Sequence, residues 1–286
     1  MRVITSLQEM QDLCLQLKRA GKSIGFVPTM GYLHEGHLEL MNVARRENDV
    51  VVTSVFVNPL QFGPNEDFDK YPRDADGDEA KARSAGVDYF FYPHVDEMYP
   101  VPLATTMTVN ARTDVLCGAS RPGHFDGVVT VLAKLFNLVL PDRVYMGTKD
   151  AQQVAIVEQF VKDYNFPLQI VPVPTIREED GLAKSSRNVY LTTDERAQAS
   201  QLYAALQGAE GLIQNGESAV DKVVDYVNNY LTDLWNLGVE LDYIAIYSYP
   251  DLQLAPILTG RLIIAVAAKF SKARLIDNII IEAGDK

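Results

Sequence analysis

Cysteine, histidine and tryptophan are all scarce in this chain, with two, four and one in 286 residues. Two cysteines, Cys14 and Cys117, are too few for a disulfide framework or a cysteine-based metal site. Cys14 falls on the apolar stripe of a predicted helix and reads as a core residue. No apolar run approaches the roughly 18 residues that a membrane span requires. The opening MRVITSLQEMQDL lacks the long apolar centre of a signal peptide, so the expectation is a cytoplasmic protein. Positive charge is also short: 26 Lys and Arg stand against 38 Asp and Glu, for a net charge of −12 and a pI of about 4.8. A chain this acidic is a poor general binder of nucleic acid or anionic membrane, because both require phosphate to be neutralised. A small anionic substrate is still allowed, since a cleft can be locally basic. Hydrophobic content of 47% with 22% charged residues is ordinary for a globular protein. The length fits one large domain or two moderate ones.

Alternating elements fill the first part of the chain. A capping box at Ser6 to Glu9 opens a predicted helix to Gly21, with apolar residues at helical spacing. A strand over 24–27 and a helix over 36–47 follow. The β-branched run over 49–57 is continuous, as in a strand covered on both faces. A helix over 74–85, a strand over 87–92, a helix over 127–140 with Asp126 as its N-cap, a strand over 143–146, a helix from about Asp150 and a strand over 168–173 complete the series. Strands alternating with helices predict a doubly wound parallel sheet. Past about residue 180 the pattern becomes two helical stretches, 193–214 and 218–237. Three strand-like runs follow, over 241–249, 261–270 and 274–282, as in a smaller α+β domain. The expected division is a first domain over 1–180 and a second over 181–286, with the hinge over 172–181.

Chemistry concentrates where predicted strands give way to helices. Met30, Gly31, Tyr32, Leu33, His34, Glu35, Gly36 and His37 follow the first strong strand. A glycine-bearing turn before a helix presents backbone N–H groups to phosphate. Histidines three apart share one face of that helix. Zinc is the weaker alternative, because only His94 and His124 remain as further imidazole ligands. Residues 58–63, with Gln61, sit past the long β run and read either as a surface turn or as a site where a neutral amide meets a hydroxyl or carboxylate. The polar stretch from there to Asp74 is expected to form a lid. Arg121 and His124 beside glycines read either as a capped loop or as an anion site. Gly147, Thr148, Lys149, Asp150 and Gln153 open another helix. Asp150 and Gln153 suit a capping box, whereas Lys149 has no structural reason to stand there. Lys184, Ser185, Ser186 and Arg187 offer successive donors for a polyphosphate.

Five segments, PTMGYLHEGH, VFVNPLQFGPNEDFDKYPRD, RPGHFDGVVTVLAKLFN, GTKDAQQ and IREEDGLAKSSRNVYLT, together resemble the pantoate–β-alanine ligase family. They run in the family's order over most of the first 190 residues. The resemblance implies a Rossmann-like first domain of the nucleotidylyltransferase superfamily and a smaller C-terminal domain closing over the site. It also implies a homodimer. The implied reaction uses ATP and Mg²⁺: pantoate is adenylated with release of pyrophosphate, and β-alanine then displaces AMP. Carried over by motif, the segment from Met30 to His37 wraps ATP. His34 and His37 lie on its phosphates, and His37 is the expected proton donor. Gln61 and Gln153 hold pantoate, Gln61 also meets β-alanine, and Arg121 is a further substrate contact. Gly147, Thr148, Lys149 and Asp150 lie along the nucleotide, with Lys149 on phosphate. Ile176 meets adenine through its backbone, and Lys184, Ser185, Ser186 and Arg187 close on the phosphates. Thr148 stands where the family often has Glu, and Lys184 where Met is common. No metal ligands are implied. The rival expectations are a nucleotidylyltransferase acting on a phosphorylated acceptor and a silent nucleotide sensor. A tRNA-using synthetase fits poorly with so acidic a chain.

Overall fold

The computed structural model describes residues 1–64, 66 and 68–284. The chain divides into two compact units: the first takes Met1–Thr113, Arg121–Thr148 and Ile156–Pro174, and the second takes Asp114–Ser120, Lys149–Ala155 and Thr175–Lys286.

Six parallel strands form the first unit's sheet: β1 (Arg2–Ile4), β2 (Ile24–Thr29), β3 (Val50–Val55), β4 (Tyr89–Phe91), β5 (Arg143–Gly147) and β6 (Gln169–Val173), in the order β1-β4-β3-β2-β5-β6. Every residue of β3 is buried. Successive side chains of a strand point to opposite faces, so both faces of the sheet are covered there, as the β-branched run over 49–57 predicts. β1 has only three residues and no pattern that would announce it. From β2 the chain first builds outward through β3 and β4, then returns to the other side of β2 at β5. That reversal makes the carboxyl ends of β2 and β5 the place where open α/β sheets bind ligands.

One core cluster joins Val27, Leu33, Met41, Val51, Phe90 and Tyr145 across this sheet and the helix Glu35–Glu47. Cys14 is wholly buried in the helix Leu7–Arg19, and burial pushes its thiol up to about 12. A thiol so placed is inert, in keeping with a core role. Asp126 is not the N-cap of its helix. The helix His124–Val139 begins earlier, with Gly123 at the cap, and the Asp126 carboxylate accepts the Val109 N–H at 2.8 Å instead.

The second unit carries the antiparallel sheet β7 (Glu240–Ser248), β8 (Gly260–Lys269) and β9 (Arg274–Ala283), with β8 central. Leu206, Val227, Leu234, Leu262, Ile264 and Val266 belong to its core. The two expected long helices are each broken, giving Thr193–Ala199 with Gln201–Gln214 and Val220–Tyr230 with Thr232–Asn236. At the second break the Thr232 hydroxyl donates to the Asn229 carbonyl at 2.7 Å, the kind of local bond through which Thr competes with a helix. Among the described residues no helix is long and apolar enough to cross a membrane.

Candidate active site

β2 delivers the histidine loop at the sheet's reversal point. Gly31 and Tyr32 both have positive φ, +86° and +53°. A Cβ on Gly31 would lie 2.8 Å from Val55 Cγ1 and 2.9 Å from Asp78 Oδ2, so only glycine fits. Thr29 Oγ1 accepts the Gly31 N–H at 3.2 Å and donates to the Ser54 carbonyl at 2.7 Å. Leu33 then plugs into the core at 1% exposure, fixing where the next residues emerge.

His34 is the N-cap of the helix Glu35–Glu47, in extended conformation, and forms a capping box with His37. His34 Nδ1 accepts the Gly36 N–H at 3.1 Å, and His37 Nδ1 accepts the His34 N–H at 3.3 Å. A ring nitrogen that accepts an N–H carries no proton, so in both neutral imidazoles the proton sits on Nε2. The rings stand 4.1 Å apart. The loop thus holds two adjacent Nε2–H donors. The backbone contributes less than a bare turn would, because the N–H groups of Tyr32 and Leu33 are already bonded to Asp78 at 2.8 and 2.6 Å.

Past β3, Asn58 organises the Gln61 turn. Asn58 is 1% exposed and caps the short turn Pro59–Gln61 by accepting the Leu60 N–H at 3.3 Å. Tyr99 also donates to Asn58 Oδ1 at 3.0 Å, which leaves the Asn58 amide N–H₂ to donate to Gln61 Oε1 at 2.9 Å and to the Gly127 carbonyl at 3.1 Å. Burial pushes the Tyr99 phenol well above its usual range, so it stays a donor. The network therefore assigns the Gln61 amide: Oε1 faces Asn58, and Nε2 is left to donate outward.

Arg121 and His124 support the same turn from behind. His124 Nδ1 lies 2.8 Å from the Gln61 carbonyl, which can only accept, so Nδ1 is protonated and Nε2 accepts from Arg121 at 3.1 Å. Arg121 donates through Nε and Nη2 to both carboxylate oxygens of Glu66 at 2.7 and 2.6 Å, and to the Gln61 carbonyl at 3.2 Å. Burial raises the Glu66 carboxyl, but the Arg121 hydrogen bond and charge outweigh it and hold the group below its ordinary value of 4.5. Here Arg121 is bound to a carboxylate of this chain and to the backbone of Gln61. Asn65 and Asp67, within the stretch expected to form a lid, lie outside the described residues.

In the second unit Lys149 lies in the short turn Thr148–Asp150 that leads into the helix Ala151–Asp163. Asn278 donates to its carbonyl at 2.8 Å. Among the described residues its ammonium makes no hydrogen bond or ion pair. The adjacent glutamines divide their tasks. Gln152 is buried and bonded to the Gly118 N–H and the Val115 carbonyl, whereas Gln153 is half-buried and its amide has no partner among the described residues. Asp150 is exposed.

The Ile176 carbonyl accepts the Lys184 N–H at 2.9 Å, next to an antiparallel bridge between Arg177 and Ala183. Lys184 pairs with Glu178 at 2.8 Å. Ser185 caps the turn Ser186–Tyr190 by accepting the Arg187 N–H at 3.3 Å, and Ser186 is buried. Lys149, Ser185, Asn188 and Asp277 line one cavity of about 10 Å³. Asp277 does not answer Lys149, because Arg177 holds its carboxylate with bonds of 2.6 and 2.9 Å.

Among the described residues no group of three or more His, Cys, Asp or Glu side chains could hold a metal. Imidazole N–H, ammonium and amide N–H groups donate to anionic oxygens, whereas a hard divalent cation takes oxygen ligands.

A parallel α/β sheet that presents two Nε2–H imidazoles and an oriented amide beyond its strand ends defines an α/β protein with a polar ligand site at its topological reversal point. A family model described as Pantoate-beta-alanine ligase matches residues 2–280, and the chain belongs to that family of carbon–nitrogen ligases. It is 58% identical over 282 residues to a pantothenate synthetase of Geobacillus sp. (strain WCH70), covering 99% of both chains. It resembles the crystal structure of pantothenate synthetase from Thermus thermophilus with a TM-score of 0.92 at 46% identity, covering 100% of both chains. Pantoate-beta-alanine ligase from Francisella tularensis, complexed with beta-gamma ATP and beta-alanine, matches with a TM-score of 0.80 at 34% identity, covering 98% of this chain and 97% of that one.

Proposed function

We propose that this chain condenses pantoate with β-alanine at the expense of ATP, through pantoyl adenylate, releasing pyrophosphate and AMP. The observation that carries the proposal is the mutual capping of His34 and His37, which leaves both rings as Nε2–H donors on one loop. A carboxylate is a poor acyl donor. Attack of its oxygen on the α-phosphorus expels pyrophosphate and gives a mixed anhydride whose AMP is a good leaving group. Negative charge then builds on the phosphate oxygens, and preorganised donors aimed at such charge supply a large share of catalysis. His34 and His37 are assigned that work, with His37 the proton donor to the departing phosphate. The amine of β-alanine next attacks the acyl carbon, the acyl–oxygen bond breaks, and AMP leaves with the bonding electrons.

Gln61 is assigned to pantoate and β-alanine, through the Nε2 that Asn58 leaves outward, and Gln153 to pantoate. Lys149, Lys184, Ser185, Ser186 and Arg187 are assigned to phosphate, the segment from Met30 to His37 and that from Gly147 to Asp150 to the nucleotide, and the Ile176 backbone to adenine. Arg121 joins the substrate contacts only if Glu66 yields it. Mg²⁺ held on the ATP phosphates would lower their charge, beside the cations of Lys149, Lys184 and Arg187. A cytoplasmic homodimer is proposed on the family resemblance, as is division into domains near residue 180. The test is exchange of labelled pyrophosphate into ATP without β-alanine. Exchange that requires pantoate supports the proposal. Exchange indifferent to pantoate shows a nucleotidylyltransferase instead.

A further inference from the structure

Asp78 lies in the helix Ala75–Ser84, more than forty residues beyond the histidine loop, yet both of its carboxylate oxygens point into that loop. It is 1% exposed. Oδ2 accepts the Tyr32 N–H at 2.8 Å and Oδ1 accepts the Leu33 N–H at 2.6 Å. One turn along the same helix, Lys81 donates to the Leu33 carbonyl at 2.8 Å. The helix therefore grips the donor and the acceptor side of a single turn, and its own start is fixed by Asp74 accepting the Gly77 N–H at 3.1 Å.

Two features say that this grip is more than packing. First, successive backbone N–H groups in a turn can form a concavity for an anion. The Tyr32 and Leu33 N–H groups do so here, directly after the positive φ of Gly31. A carboxylate of the chain itself fills the concavity, at the start of a loop whose histidines are assigned to an anionic substrate. Second, the occupant is a poor choice for stability alone. Burial raises the Asp78 carboxyl above its ordinary value, and the Leu33 and Tyr32 N–H bonds with the Lys81 charge do not fully offset it. A charge held against its burial marks a site where the charge has a task.

We propose that Asp78 is a positioning residue for the ATP-dependent step: its carboxylate locks the Gly31–Leu33 turn, so that His34 and His37 are aimed by a fixed backbone, and it bars the polyphosphate from the turn's own N–H groups. Phosphate then meets the imidazoles rather than the backbone two residues before them. The inference rests on the proposed function for its catalytic part and on geometry alone for its structural part.

Asp78→Asn is close to isosteric but cannot accept both N–H groups, since its Nδ2 is a donor. In the Asp78→Asn protein, the Tyr32 and Leu33 amides should exchange hydrogen at least about tenfold faster, with the sheet amides unchanged. The maximal rate of pantoate-dependent pyrophosphate exchange should fall about a hundredfold, the loss expected for a misplacement of about 1 Å. The KM for pantoate should stay within about twofold, and conversion of supplied pantoyl adenylate by β-alanine within about threefold. Lys81→Met removes the other half of the grip and should show the same selectivity at smaller size. Exchange activity retained by Asp78→Asn, or equal loss in both half-reactions, overturns the proposal. If the parental protein shows no pantoate-dependent exchange, the assigned function fails by itself. Amide protection still decides the clamp then, and unchanged protection at Tyr32 and Leu33 overturns it.

Discussion

Gly127→Ala sets two effects of opposite sign against each other. Inside the helix His124–Val139, replacing glycine by alanine ordinarily stabilises by about 1 kcal/mol. Here a Cβ would lie 2.1 Å from the Leu60 carbonyl oxygen, 2.4 Å from its carbon and 2.8 Å from the Gln61 nitrogen. Ordinary contact begins near 3.4 Å, so the turn must retreat by more than about 1 Å. The atoms in the way are backbone, which cannot rotate aside as a side chain can. Overpacking of this kind costs about 1–3 kcal/mol, and the retreat also stretches the bonds from Asn58 to Gln61 and to Gly127. Collision by backbone outweighs propensity, for a net loss of up to about 2 kcal/mol and a fall in Tm of a few degrees. Because the displaced turn carries Gln61, kcat/KM for pantoate should fall about a hundredfold. Thermal unfolding by circular dichroism and steady-state kinetics with pantoate varied measure the two effects. Gly211→Ala is the control, since nothing lies within 4 Å of its added Cβ in the helix Gln201–Gln214, and it should hold or raise Tm. A Gly127→Ala protein as stable as Gly211→Ala, with parental kcat/KM, would refute the close approach and the placement of Gln61 drawn from it.

Gln61→Glu keeps an acceptor for Asn58 but loses the outward donors, so kcat/KM for pantoate should drop about a hundredfold while Tm moves by no more than about 1 °C. His37→Ala should lower kcat of the exchange reaction by about 10²–10³ and stability by only about 1 kcal/mol, the worth of a cap; a small kcat effect with a large Tm effect would mark His37 as structural. Glu66 has a carboxyl held below its ordinary value of 4.5, so its contribution to stability is full above pH 4.5 and is lost as pH falls through the lower folded value. Glu66→Gln should therefore flatten the acid limb of a Tm-against-pH curve below about pH 4.5 and leave neutral differences nearly constant. Lys149→Met should weaken ATP in calorimetry by about tenfold and leave pantoate unaffected, because its ammonium has no partner among the described residues whose loss would disturb the fold.

The doubly wound sheet and the smaller antiparallel sheet were legible because each rests on local pattern: β-branched runs, helical spacing, and glycines after helices. β1 was not, since three residues carry no periodicity. Asp126 looks like an N-cap from its place in the chain, but the cap is set by Gly123 in the left-handed conformation, and the distant Val109 N–H claims the carboxylate. The loops at strand ends were visible as motifs, whereas what supports them was not. Asp78 reaches Tyr32 and Leu33 across forty-six and forty-five positions, and Asn58 is drawn in by Tyr99 and Gly127 across forty-one and sixty-nine. Such partners follow from topology, which brings β2, β3 and their following helices side by side. Arg121 shows the same limit: its cationic character reads as a ligand contact from sequence, and only the fold reveals Glu66 on it.

Isotope transfer follows the pantoate carboxylate oxygen through the reaction. Pantoate carrying oxygen-18 in its carboxylate is turned over with ATP and β-alanine, and the label in each phosphorus product is read by mass spectrometry. Attack of the carboxylate on the α-phosphorus predicts a single labelled oxygen in AMP and none in pyrophosphate. Label in pyrophosphate or inorganic phosphate, or AMP without label, would contradict the adenylate route.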